Sequence, residues 1–283
     1  MIYISTGQFF DLNFVKSAQI INSYNIKNIE LSCGKYIKNY RKQINLLAKN
    51  NNLIFHNYFP RPKKDFVINL CSENKDIRNK SFKHIVKCIK LCSSFNIKFF
   101  SFHAGFLFDP SISKIGKTYD SVKLFDKKKS LNTFIQLSNK LSKIAKTNNV
   151  KLLIENNVIS KSNFLKFKKN PFLMTDIKDT LYIMSQTDQN IGLLTDLAHL
   201  KISAKTLNFS KVNFLKKTMK WNLGYHLSDN KGMEDTNDKI HLNSWFWNYI
   251  NKKLNYYTLE VKFKNKNDIL SQYKLLKKKL SYA

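Results

Sequence analysis

Apolar residues along this chain fall into short runs, separated by longer stretches in which they recur every three or four positions. The runs are Ile2–Ser5, Ile29–Leu31, Leu53–His56, Phe99–His103, Lys151–Glu155, Ile191–Asp196, Leu223–His226 and Tyr257–Glu260. Short, nearly continuous apolar runs are what strands covered on both faces of a parallel sheet read as. The stretches between them predict helices over Asp11–Tyr24 (with Asp11 as its cap), Tyr40–Asn50, Asn79–Phe95, Ser130–Asn149, Ile177–Ser185, Lys211–Lys220, Ser244–Lys253 and Asp268–Leu280. Strand and helix alternate along the whole chain with no linker-like stretch. The expected fold is therefore α/β, a single (β/α)8 barrel domain over residues 1–283. A doubly wound open sheet is the alternative, but its glycine-rich phosphate fingerprint is absent.

Several runs stop on a residue type that binds metals: His56, His103, Glu155, Asp196, His226 and Glu260. In a barrel these are C-terminal strand ends, the face that carries functional groups. Glu155, Asp196, His226 and Glu260 would close the last four strands, within about ten ångströms of one another. Three carboxylates and an imidazole that close repel unless a cation joins them. An oxygen-rich set with one histidine suits Mn²⁺, Mg²⁺, Fe²⁺ or Co²⁺, with Zn²⁺ also able to bind. His199 follows Asp196 in a D-x-x-H spacing, and His56 and His103 would face Glu155 across the mouth. The longest loops, Asn57–Glu73, Ala104–Lys129 and Asn156–Asp176, would wall a pocket there with Phe59, Phe106, Phe108, Tyr119 and Phe164.

Composition adjusts this picture in two places. With 283 residues, 43% hydrophobic and 24% charged, the chain suits one barrel with a large core. The formal charge of +30 invites a nucleic-acid partner, yet arginine occurs only at Arg41, Arg61 and Arg78. The lysines at 127–129, 168–169, 216–217 and 277–279 are scattered, in a composition rich in Lys, Asn, Ile, Phe and Tyr. Lysine filling solvated faces accounts for the charge, which weakens the expectation of a nucleic-acid partner without excluding a polyanion. The four cysteines, Cys33, Cys71, Cys88 and Cys92, contain no CxxC pair and are expected to be reduced. His84, Cys88 and Cys92 recur at helical spacing, which reads as a half-buried helix face in preference to a soft-metal site. No apolar run reaches the ~20 residues of a membrane helix, and Met1-Ile-Tyr-Ile-Ser-Thr lacks the pattern of a signal peptide. The expected location is cytoplasmic, with the oligomeric state, including a homo-oligomer, left open.

From Ile29-Glu30-Leu31-Ser32 to Leu259-Glu260-Val261-Lys262, the chain resembles the xylose isomerase-like TIM-barrel superfamily. That superfamily holds sugar isomerases and epimerases and also AP endonucleases of the endonuclease IV type. The epimerase branch implies one divalent metal on Glu155, Asp196, His226 and Glu260, proton transfer by Glu155 and Glu260, and substrate contact by His199. The endonuclease branch adds His56 and His103 for a second metal, and Val67-Ile-Asn-Leu through His103-Ala-Gly105 resembles it. It also implies a D-x-H pair after the seventh strand, where this chain has Asp238-Lys-Ile-His241 instead. That spacing turns one of the two side chains away on an extended segment. The loop arginine common among epimerases is missing too, with Lys231 as a weaker substitute. The stretches Asp196-Leu-Ala-His199, His226-Leu-Ser-Asp229-Asn and Ser244-Trp-Phe-Trp247 are similar to uncharacterised members associated with bacterial surface-sugar biosynthesis.

The resemblance thus implies a metal-dependent sugar or sugar phosphate isomerase or epimerase working through an enediolate, with a small-molecule carbohydrate as its partner. In it Asp229 orients His226 or a loop lysine, and Glu30 either reaches the pocket or is a charge at the rim. Metal-dependent cleavage of abasic DNA and a non-catalytic sugar-binding barrel are the alternatives.

Overall fold

Each apolar run resolves into two faces, because successive strand residues point to opposite sides. In the fifth run Leu152 and Ile154 pack outward into the main core, while Leu153 joins a separate cluster with Tyr3, Ile54, Leu194 and Tyr256. The first face meets the helices and the second fills the barrel interior. Two residues beyond each inner position, the same face arrives at the mouth: Ile54 precedes His56, Leu153 precedes Glu155, and Leu194 precedes Asp196.

The computed structural model describes residues 1–9, 11–263 and 265–281. Its strands close in sequence order into a parallel barrel: β1 (Ile2–Ser5), β2 (Asn28–Leu31), β3 (Asn52–His56), β4 (Phe99–His103), β5 (Lys151–Glu155), β6 (Ile191–Asp196), β7 (Asn222–Leu227) and β8 (Tyr257–Leu259). The β8–β1 pair closes the ring through Ile2–Tyr257, Tyr3–Thr258 and Ile4–Leu259. Around it lie α1 (Phe14–Asn22), α2 (Tyr40–Ala48), α3 (Lys75–Ser94), α4 (Lys127–Thr147), α5 (Lys161–Phe167), α6 (Ile177–Gln186), α7 (Leu197–Leu207), α8 (Lys211–Thr218) and α9 (Lys266–Ser281). The expected (β/α)8 barrel is present. No helix among the described residues is long and apolar enough to cross a membrane.

Local chemistry moves several boundaries. Asn13, not Asp11, caps α1, its side chain accepting from the backbone N–H of Val15 and Lys16. Asn74 opens α3 earlier than the apolar spacing suggests, and Asp126 does the same for α4. Two helices were not expected: α5 inside the loop after β5, and α7, which starts directly on the last residue of β6. The helix expected over Ser244–Lys253 is a chain of turns. There Ser244 Oγ donates to Asp229, the Trp247 indole donates to the His241 carbonyl, and the Asn251 N–H donates to Tyr225 Oη. These side-chain bonds, with Phe246 and Trp247 buried between them, replace the helical ladder. Finally, β8 stops at Leu259, although the Glu260 N–H still bonds the Leu227 carbonyl at 3.1 Å and holds its side chain at the mouth.

The aromatic loop residues divide. Phe59 is part of the main core, while Phe108 and Tyr119 pack with Ile159, Phe167 and Phe172 into a rim cluster that Phe106 and Phe164 flank. They hold the long loops together over β4 and β5. His84, Cys88 and Cys92 are buried on the inner face of α3, as the helical spacing suggests.

Candidate metal centre

Glu155 stands at the middle of the mouth, and two groups of donors share it. Ligand atoms of Glu155, Asp196, His226 and Glu260 all lie within 4.8 Å of one another, as do those of Glu155, His56 and His103. In the first group, His226 Nδ1 is 2.8 Å from Glu260 Oε2, 3.3 Å from Glu155 Oε1 and 4.0 Å from Asp196 Oδ2. In the second, His56 Nε2 and His103 Nδ1 are 3.3 and 3.5 Å from Glu155 Oε2. Glu155, Asp196 and His226 are completely buried, whereas the Glu260 side chain keeps 16% of its surface open to the mouth.

These groups fit a divalent cation on their own geometry. Both oxygens of Glu155, Oδ2 of Asp196 and Nδ1 of His226 are buried without a hydrogen-bond partner. Buried polar atoms are otherwise almost always satisfied. Here the unsatisfied ones gather around Glu155, and three carboxylates with one imidazole are a donor set for a hard or borderline cation.

Left to each other, the donors polarise strongly. Burial acts to raise Glu155, but His103, His226 and His56 outweigh it and hold its carboxyl well below the usual range. Burial lifts Asp196, His199 pulls against it and Glu155 adds to the rise, leaving Asp196 at about 7. For His226, burial is overcome by Glu30, Glu260 and Glu155, which raise it well above an ordinary imidazole.

The supporting residues were only partly legible beforehand. Glu30 is neither in the pocket nor a charge at the rim. It is fully buried beneath the donors, and its Oε2 is 3.0 Å from His226 Nε2. Burial pushes Glu30 up, but His226 more than compensates and holds it at about 2. The signal was present in the sequence: Glu30 sits between Ile29 and Leu31, which both face the outer core, so it must face inward. Asp229 does not orient His226. It binds Lys201 Nζ at 2.5 Å and Ser244 Oγ at 2.8 Å, and that lysine is on α7, not in the loop.

Lys231 is exposed and lines an outer groove with Lys201, Lys205 and Lys211, with no contact to the donor cluster. His199 Nδ1 lies 2.9 Å from the Asn156 carbonyl and 3.6 Å from Glu155 Oε1, while its Nε2 is 3.2 Å from Asp235 Oδ2. Asp235 and Asn156 escaped the sequence reading. Asn156 clamps the end of β6, accepting from the Asp196 N–H at 2.8 Å and donating to the Asp196 carbonyl at 3.2 Å. Asp238 forms a backbone bridge with Asp229, and His241 is exposed.

Comparisons with known proteins agree with this architecture. A family model described as xylose isomerase-like TIM barrel matches residues 9–247. Apurinic-apyrimidinic endonuclease 1 of Plasmodium falciparum (isolate 3D7) is 28% identical over 191 residues, covering 63% of this chain and 28% of that protein. The chain therefore spans well under half the length of the curated relatives it matches. Among solved structures, a D-tagatose 3-epimerase-like protein superimposes with a TM-score of 0.73 at 18% identity, covering 99% of this chain and 97% of that one. An IOLI protein with a binding zinc atom gives a TM-score of 0.71 at 12% identity, over 99% of this chain and 98% of that one. At these identities the likeness is one of fold.

Proposed function

The chain belongs to the xylose isomerase-like TIM-barrel family, and from that premise we propose that it is a divalent-metal-dependent isomerase or epimerase of a small sugar or sugar phosphate. The observation that carries this reading is the pair Glu155 and Glu260, whose carboxylates flank His226 Nδ1 at 3.3 and 2.8 Å. Reversible proton transfer at a carbon next to a carbonyl needs one group to take the proton and another to return it. When bound, a divalent cation would polarise the substrate oxygens and acidify the C–H between them. Glu155, Asp196, His226 and Glu260 would hold it.

Glu260, partly open to the mouth, meets the substrate first, and buried Glu155 completes the pair from below. His199 has Nδ1 against the Asn156 carbonyl and Nε2 against Asp235, so both ring nitrogens are engaged and a substrate hydroxyl would have to displace Asp235 from Nε2 to reach it. The rim cluster of Phe108, Tyr119 and Phe172 packs together the loops that follow β4 and β5. The further assignment to surface-sugar biosynthesis rests only on the sequence stretches around Asp196, His226 and Ser244.

One observation favours a second reading, cleavage of abasic DNA: the His56–His103–Glu155 group is a complete extra donor set. It ranks second because Asp238 and His241 do not form a third set, and because lysine is spread over outer helices such as α3, α4 and α8. The deciding experiment incubates purified protein of measured metal content with a panel of ketoses and aldoses in D₂O. Solvent deuterium should enter the sugar at the interconverted carbon. No exchange on any sugar, together with nicking of an abasic duplex, would replace the isomerase reading by the nuclease one.

A further inference from the structure

Beneath the donors, a line of hydrogen bonds crosses the barrel interior from β7 to β3. His226 Nε2 lies 3.0 Å from Glu30 Oε2, which also accepts from Tyr256 Oη at 2.6 Å and Thr258 Oγ1 at 3.1 Å. Tyr256 Oη is 3.1 Å from Ser101 Oγ, and Ser101 Oγ is 2.9 Å from His56 Nδ1. Every member is buried. We propose that Glu30, acting through Tyr256 and Ser101, is a positioning residue that holds the far ring nitrogens of His226 and His56 as donors and so turns the other nitrogen of each toward Glu155.

Counting protons gives the direction. One oxygen of Glu30 collects three donors, so it accepts from all of them. Tyrosine has a single hydroxyl proton, and the 2.6 Å contact commits it to Glu30. Ser101 must therefore donate to Tyr256, which uses the only proton serine has. Nothing is left for His56 to accept, so His56 donates from Nδ1 to Ser101. Its Nε2 is then the nitrogen left to face Glu155 Oε2, at 3.3 Å. By the same count His226 donates from Nε2 to Glu30, and its Nδ1 faces Glu155, Asp196 and Glu260. A ring nitrogen among carboxylate oxygens needs positive charge beside it, a proton in the metal-free centre or a cation in its place, so this polarity suits a centre that takes up a cation. Partners that bond the far nitrogen of a ligating histidine are the usual means of fixing its tautomer.

The packing is arranged to admit this line. Tyr256 stands in the barrel interior between Tyr3 and Phe99, with ring centroids 5.9 and 5.8 Å away. A Cβ on Gly224 would sit 2.8 Å from Tyr256 Cγ, so the glycine makes room for the ring. The assignment rests on the hydrogen bonds alone and is independent of which reaction the centre carries.

Long-range ¹H–¹⁵N spectra of the histidine rings at pH 8, with and without Zn²⁺ as a diamagnetic probe, test it. Wild-type protein should show a protonated Nδ1 on His56 and a protonated Nε2 on His226. Tyr256→Phe keeps the ring and removes the relay, and Ser101→Ala removes it one step closer to His56. Both variants should lose the His56 Nδ1–H signal while the His226 Nε2–H signal persists. An unprotonated His56 Nδ1 in wild type, or an unchanged His56 in both variants, would overturn the assignment.

Discussion

Glu155 turns its two oxygens to different sides, Oε1 toward His226 and His199, Oε2 toward His56 and His103. Glu155→Gln keeps the shape but removes the charge that the surrounding histidines face. Activity should fall by about 10²- to 10⁴-fold, the range for loss of a general acid or base. Metal content after dialysis should fall with it, read by elemental analysis. A remote residue tests pH. His84 is buried against Tyr58 and Phe66, its Nε2 has no hydrogen-bond partner, and burial, with Lys87 and Lys80 nearby, drives it down to about 4. Below the ordinary histidine range the unfolded chain takes up a proton that the folded one refuses. The stability present above pH 6.5 is therefore lost as pH falls toward 4, by at most about 3 kcal/mol. Urea unfolding of wild type and His84→Phe at pH 7.5 and 4.5 should show the shallower pH dependence in the variant.

Element boundaries carry part of the site's design. α7 begins on the last residue of β6, and Asp196 is its N-cap: Oδ1 accepts from the His199 N–H at 2.7 Å. That bond fixes the carboxylate so that Oδ2, which has no partner, faces the donor cluster. The D-x-x-H spacing is thus a cap and the third residue of a helix, which brings His199 back beside Glu155. Asn retains the cap without the charge, while Ala loses both. Asp196→Asn should bind divalent cations weakly yet unfold like wild type in the presence of a chelator, and Asp196→Ala should be about 1 kcal/mol less stable than the Asn variant. Calorimetric titration with Mn²⁺ and chelator-treated urea melts separate the two effects.

At the scale of the molecule, a cation held by Glu155, Asp196, His226 and Glu260 would tie together strands from half the barrel, β5 to β8. Chelation should therefore lower the melting temperature by about 5 °C if binding is near-saturating, since a ligand at about 100 times its Kd adds roughly 2.7 kcal/mol. Re-addition of Mn²⁺ or Zn²⁺ should restore it. The large positive charge belongs to the outside: Lys216 and Lys217 on α8 and Lys277 and Lys278 on α9 are all exposed. Changing these four to glutamine should leave turnover within about twofold, as exposed charges far from the chemistry usually do. Steep salt-dependent binding to abasic duplex, weakened by the same four changes, would instead mark them as phosphate contacts.

The barrel was readable in the sequence because the two periods are local properties of a chain. Strand runs such as Lys151–Glu155 and Ile191–Asp196 have the limits the pattern suggests, and the metal-binding residue types at their ends are visible by inspection. Where a polar side chain finds its partner is not local. Glu30 meets His226 and Tyr256 across 196 and 226 residues, a pairing that only closure of β8 onto β1 creates. The segment from Ser244 shows the same limit from the other side. Its helical spacing yields to bonds from Asp229, Tyr225 and the Trp247 indole, because long-range side-chain partners outweigh a weak local propensity. Sequence alone determined that the six strand-end donors His56, His103, Glu155, Asp196, His226 and Glu260 reach the mouth, and the tertiary structure decided which of their atoms face one another, since only a closed barrel brings those atoms together.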